Sequence, residues 1–104
     1  MKEKDFKLRI GHLTYTVKII SKEIMEAKSL YGQCNTNKQE INLVEGMTKE
    51  RFKEVLIHEC LHAMYDSENI YASTEEECVV NGLGTGISKL FRDNKKIRDL
   101  YCGK

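Results

Sequence analysis

Proline is absent from this chain, and no apolar run approaches the length of a membrane span, roughly 18 residues. The first absence removes the strongest helix breaker. The second excludes a transmembrane helix. An excess of one charge is lacking too: 17 Lys and Arg stand against 16 Asp and Glu, for a net charge of +1. No overall field therefore draws the chain to nucleic acid or to a membrane surface. The charged start, Met1 to Lys7, leads into no apolar signal core, so no secretory signal and a cytoplasmic setting are expected. Cys34, Cys60, Cys78 and Cys102 form no C-x-x-C pair and no disulfide-framework spacing. They read as reduced thiols, and a mixed Cys/His zinc site using Cys34 or Cys78 would match no common spacing. Repeats, linkers and low-complexity tracts are missing. At 104 residues the chain is expected to form a single domain, 1–104.

Histidine is scarce as well, which makes its placement informative. Two of the three histidines lie in His58-Glu59-Cys60-Leu61-His62, an H-E-x-x-H run. Chance would produce this from the composition roughly once in a hundred such chains. On a helix, positions i and i+4 stack on one face, so the two imidazoles can hold one zinc ion. Zinc lowers the pKa of a bound water to roughly 7, and the adjacent carboxylate can take its proton as the water attacks a carbonyl. The context predicts a helix. Thr48 is a candidate N-cap, and Lys49 to Tyr65 contains no Gly. Phe52, Val55, Leu56, Ile57, Cys60, Leu61, Ala63 and Met64 place apolar residues around much of it, which predicts a largely buried helix. In such a helix two histidines and a glutamate would be costly to bury without a partner.

Upstream, Phe6, Leu8 and Ile10 alternate with Lys7 and Arg9, and Leu13, Tyr15, Val17 and Ile19 alternate with Thr14, Thr16 and Lys18. Both are period-two patterns, and Gly11-His12 between them predicts a hairpin. His12 then sits in a turn, where it is a weak candidate for a third ligand. Ser21 to Ser29 is compatible with a short helix, Leu30 to Asn35 with a strand, Asn35 to Lys38 with a turn, and Glu40 to Val44 with another strand. That last strand is expected at a sheet edge, where it could receive an extended peptide. Beyond the motif, Asp66 to Thr74 reads as loop. A second helix is predicted from Ser73 or Thr74 to about Arg92, because Ser73 with Glu76 and Thr74 with Glu77 both fit a capping box. Val79, Val80, Leu83, Ile87, Leu90 and Phe91 mark its apolar face. Gly82 and Gly86 share a face and would admit another helix closely, the motif helix being the natural partner. Asp93-Asn94 ends it, and Ile97 to Tyr101 adds a last turn.

A catalytic zinc typically takes three protein ligands and leaves one place for water. The acidic run Glu75-Glu76-Glu77 opens the second helix and can supply the third. With Val80 taken as part of the buried stripe, Glu76 and Glu77 both lie near its edge. If Ser73 is the cap, Glu76 completes the capping box and Glu77 is left for metal. Glu77 is thus the first choice and Glu76 the second. The competing explanation is that all three simply favour the positive end of the helix dipole. Asn81 and Asp66 are candidates to orient the ligating histidines. Tyr31, Tyr65 and Tyr71 are candidates to stabilise an oxyanion.

The segment from Ile57 to Met64, followed by Glu77-Cys-Val-Val-Asn-Gly-Leu-Gly, resembles the ImmA/IrrE group of small bacterial and phage zinc metallopeptidases. In that pattern Glu77 matches the family's ligating glutamate, Asn81 its asparagine and Leu83 its phenylalanine, while Val80 and Gly84 stand where the family has alanines. Leu30 to Asn35 and Phe91 to Asn94 are similar to small metallopeptidase-like proteins of phages and prophages. The resemblance covers roughly residues 30 to 94. It implies an α+β, zincin-like fold with a small sheet packed on the H-E-x-x-H helix and a following helix that carries the third ligand. It also implies a zinc metallopeptidase that hydrolyses a peptide bond of an intracellular protein or peptide. Zn2+ would be held by His58, His62 and Glu77, with Glu59 as general base and then general acid. The alternative expectation is a non-catalytic zinc-binding module of phage or prophage origin that binds a host or regulatory protein. No nucleic-acid or membrane partner is expected.

Overall fold

The period-two segments pair as their patterns predict. In the computed structural model, which describes residues 4–27, 31–70 and 75–102, the elements run β1 (Phe6–Ile10), β2 (Leu13–Ile20), α1 (Lys22–Ala27), β3 (Gly32–Asn35), β4 (Glu40–Val44), α2 (Lys49–Ser67), α3 (Glu76–Asp93) and α4 (Lys95–Cys102). Gly11 supplies the one positive φ of the β1–β2 turn, +63°, as a two-residue hairpin with glycine in first place requires. The strands form one mixed sheet in the order β1-β2-β4-β3, with β2 and β4 parallel and the outer pairs antiparallel. The fold is thus a small α+β fold with a four-stranded sheet and four helices among the described residues.

This order corrects the expectation that Glu40 to Val44 is an edge strand. It lies inside the sheet, bonded to β2 on one side and β3 on the other. Ile41 and Leu43 are fully buried on the face that α2 covers. Among the described residues the outer strands are β1 and β3.

One face of the sheet is polar: Lys7 pairs with Thr16, Thr16 with Glu40, and Asn42 with Gln33. The other face carries Leu8, Ile10, Tyr15, Val17, Ile41 and Leu43, and α2 packs on it with Phe52, Leu56, Cys60, Ala63 and Met64. That spacing, 52, 56, 60, 63 and 64, is a single helical stripe. Each fully buried aliphatic side chain on it contributes roughly 1.5–3 kcal/mol. The expectation of a largely buried helix therefore needs correction. Val55, Ile57 and Leu61 are only half-buried, and His58 and His62 are exposed. Thr48 caps α2 as predicted, its Oγ1 accepting the Arg51 N–H at 3.2 Å.

The glycine prediction holds. A Cβ at Gly86 would stand 2.9 Å from Met64 Sδ, and one at Gly82 would stand 2.7 Å from Ile70 Cγ1. These contacts seat α3 alongside α2, running back along it. The buried and half-buried stripe of α3 is Val79, Gly82, Leu83, Gly86 and Leu90. Val80 is instead 55% exposed and Ile87 42%, so the predicted apolar face was rotated. The helix starts at Glu76 and its N-cap is Glu75, without a side-chain cap bond. Ser73 and Thr74, and the capping boxes built on them, lie outside the described residues. Residues 97–101 form not one turn but part of α4, anchored by buried Ile97 and by the Tyr101 hydroxyl, which donates to Lys53 O at 3.0 Å.

Asn94 closes the β1 edge. Its Oδ1 accepts the Arg9 N–H at 2.7 Å, and its Nδ2 donates to Arg9 O and to Leu90 O, both at 2.8 Å. The amide imitates a neighbouring strand and caps α3 at once. Asn94→Ala removes all three bonds and should cost about 2–3 kcal/mol, read as a fall in the urea midpoint. Asn94→Asp keeps one acceptor, loses both donors, and should be at least as destabilising.

Candidate metal centre

The helical repeat decides where the motif residues point. His58 and His62 lie four apart on the exposed side of α2, with ring centroids 5.0 Å apart in an edge-on arrangement. Glu59 is one position round the helix, toward the sheet, and only 6% of it is exposed. Its carboxylate lies under β3: a Cβ on Gly32 would meet Glu59 Oε2 at 3.1 Å and Val55 Cγ1 at 2.6 Å. Any side chain at position 32 would displace one of the two. Glycine there lets the strand pass over the carboxylate. Burial pushes the Glu59 carboxyl above the usual carboxylate range, opposed by the nearby His58 and His62 imidazoles. The upward direction makes this carboxylate a stronger base than a free one.

Both imidazoles are exposed to solvent. Burial imposes no cost on His58 or His62, so it creates no need for a metal partner. Only Glu59 meets that description. The motif itself, two imidazoles in register beside a carboxylate, is what points to a metal.

A cleft of about 450 Å³ opens beside this row, between Tyr31 and Gly32 on one side and Arg51, Val55, His58 and Glu59 on the other. The Arg51 guanidinium lies 5.7 Å from the centre of the Tyr31 ring at the cleft mouth. The free edge of β3 forms its wall. Val44 N–H donates to Tyr31 O at 3.0 Å, which makes Tyr31 and Val44 a hydrogen-bonded pair. Alternation along an antiparallel ladder then turns the N–H and C=O of Gly32 and Cys34 outward, toward the cleft.

Glu76 and Glu77 are not gathered with the imidazoles. Both are exposed on the first turn of α3. Among the described residues no group of three His, Cys, Asp or Glu side chains is placed to hold a metal. The register of α3 on α2 accounts for this. Gly86 meets Met64 and Gly82 meets Ile70, so the start of α3 lies past the end of α2, while His58 and His62 lie in its middle. With Val80 exposed, the phase argument for Glu77 also lapses, because the inward stripe of α3 leads back to Glu75 and Glu76. Glu77 is then singled out only by the sequence pattern it opens, Glu77-Cys-Val-Val-Asn. His12 is exposed in the hairpin turn and lines a different cleft, with Lys89 and Arg92. Asp66 is exposed one turn after His62, Asn81 is exposed on α3, and Tyr65 is half-buried. Tyr71 lies outside the described residues. Among the described residues Tyr31 is the tyrosine at the cleft.

Cys34, which the sequence offers as a reduced thiol or a structural zinc ligand, lies within electrostatic reach of Glu59. It is half-buried on β3. Burial first, then the charges of Glu59 and Asp66, push its thiol up to about 11. Burial pushes Cys60 up to about 12, with Cys34 and Glu59 adding to it. Only the strand pairing brings Cys34 to this row, and no local pattern announces that.

Among known proteins, no family model, no curated protein and no solved structure matches this chain.

The four thiols should separate on alkylation. Cys78 and Cys102 are exposed and should label first, while buried Cys60 should stay protected in the folded protein. At pH 8 the Cys34 thiolate is roughly one part in a thousand, against roughly one in ten for an ordinary thiol, so it should label about a hundredfold more slowly. Its rate should rise about tenfold per pH unit from 8 to 10, as followed by mass spectrometry of labelled peptides.

Proposed function

We propose that the chain is a zinc-dependent metallopeptidase with a zincin-like, gluzincin-type site, acting on an extended protein or peptide substrate. The observation that carries this reading is the placement of the H-E-x-x-H row directly beside the free edge of β3, with Glu59 beneath Gly32. His58 and His62 would hold the metal, and Glu77 would be the third ligand, with Glu76 as its rival. Joining them requires the first turn of α3 to come toward His62, a movement that substrate or metal would have to stabilise. Zinc, when bound, would supply Lewis acidity for the scissile carbonyl and for the attacking water.

The other steps fall to the chain. An extended peptide adds to β3, using the outward N–H and C=O of Gly32 and Cys34. This moves the expected β-augmentation from Glu40–Val44 to the neighbouring strand. The scissile carbonyl is then held over the row of His58, Glu59 and His62. Glu59 takes a proton from water as the oxygen adds to the carbonyl carbon, and returns it to the leaving nitrogen as the C–N bond breaks. Its raised pKa favours the first transfer, the uptake of the water proton.

The second reading is a non-catalytic zinc-binding module of phage or prophage origin. It needs no water-activating site, and the separation of the acidic run from the imidazoles leaves the catalytic ligand set incomplete among the described residues.

Glu59→Gln decides between them. A peptidase variant should keep stoichiometric zinc and its fold while kcat/KM falls by about 10²–10⁴. Wild type that holds zinc but hydrolyses no peptide would leave the module standing, and hydrolysis that survives the substitution would remove Glu59 as the base. Glu77→Gln should weaken zinc binding more than Glu76→Gln, read by competition with a chelating dye. The reverse order would make Glu76 the ligand.

A further inference from the structure

A second cleft, of about 650 Å³, lies where the β1–β2 turn meets the end of α2 and the last turns of α3. It is separate from the His58–His62 row and shares no lining residue with the cleft there. Lys7, Arg9, Lys89 and Arg92 converge on it from two elements, against the carboxylates of Glu68 and Asp93. Two positive charges are left over before His12 is counted, more than the net charge of the whole chain.

The pairing inside the cleft shows which cations are committed. Lys89 Nζ lies 3.2 Å from Glu68 Oε2, and Arg92 makes a two-pronged contact with Asp93 at 2.7 and 3.0 Å. Lys7 has no ion pair among the described residues. Arg9 has only a 3.5 Å bond from Nε to Gly11 O. The hydrogen bonds from Arg92, and the charges of Arg9 and Lys89 behind them, hold Asp93 below the usual carboxylate range. One carboxylate thus already sits where three cations converge. The lining also contains an orphan donor: Ser67 Oγ is buried beneath Gly11 and has no partner among the described residues.

The shape and chemistry narrow the ligand. Among the described residues no Phe, Tyr or Trp lines the cleft, and His12 offers only one small ring, so a platform of the kind that stacks successive bases is lacking. The β1 edge is closed at Arg9 by Asn94, which leaves too little free backbone for an added peptide strand. We propose that this cleft binds a compact phosphate-bearing anion, held by Lys7 and Arg9 with Lys89 and Arg92 completing the positive wall.

Pyrophosphate is the probe. It should be titrated into the full chain at low ionic strength, with backbone amide shifts followed by NMR and chloride at equal ionic strength as the control. Saturable one-to-one binding should appear, with shifts centred on Lys7, Arg9, His12 and Lys89. The double variant K7Q/R9Q should weaken binding by about tenfold or more while its thermal melt is unchanged. Removing both imidazoles, H58A/H62A, should leave the affinity unaltered. Unsaturable shifts, shifts reproduced by chloride, or equal affinity in K7Q/R9Q would each overturn the proposal.

Discussion

Packing of α2 across one face of the sheet is the constraint on which the rest depends. Phe52, Leu56, Cys60, Ala63 and Met64 must face Ile41, Leu43 and their neighbours. Once that stripe is turned inward, the 3.6-residue repeat sets every other direction on the helix. His58 and His62 are carried to the exposed side, and Glu59, beside buried Cys60, is carried under β3. No separate device is needed to aim the three motif residues.

The same packing makes Glu59 the one expensive group in the row. Its carboxylate is buried, its proton affinity raised, and room for it exists only because position 32 has no side chain. That is a local cost which stability alone does not explain. The two sheet edges are also treated differently. Asn94 spends its whole amide on Arg9 and Leu90, closing β1. At β3 the groups of Gly32 and Cys34 stay open beside the cleft. An open edge invites unwanted pairing, so an edge left open next to a candidate site fits a role in binding extended chain.

Legibility followed the range of the interaction. The β1–β2 hairpin, the Thr48 cap, the extent of α2 and the close approach at Gly86 were all readable, because each depends on residues a few positions apart or on one helix face. The position of β4 was not. Its alternation of Ile41 and Leu43 is the same for an edge and an interior strand, and only pairing partners distinguish them. The phase of α3 was misread for a related reason. Val79, Val80 and Leu83 are equally apolar, and the glycine contacts with Met64 and Ile70 selected the rotation that leaves Val80 outside. With that rotation went the phase argument for Glu77.

The H-E-x-x-H run could therefore be assigned from sequence as far as its spacing reaches: two imidazoles in register and a carboxylate one step round the helix, a consequence of covalent order and helical pitch. Tertiary structure decided what that spacing cannot contain. It exposed the histidines and buried the glutamate, brought Gly32 and Cys34 to the row from a strand over twenty residues away, and set the acidic turn of α3 apart from it. Side-chain direction along one helix is a local property. Which strand lies beside that helix, and where the next helix begins, depends on how all the apolar faces find cover together.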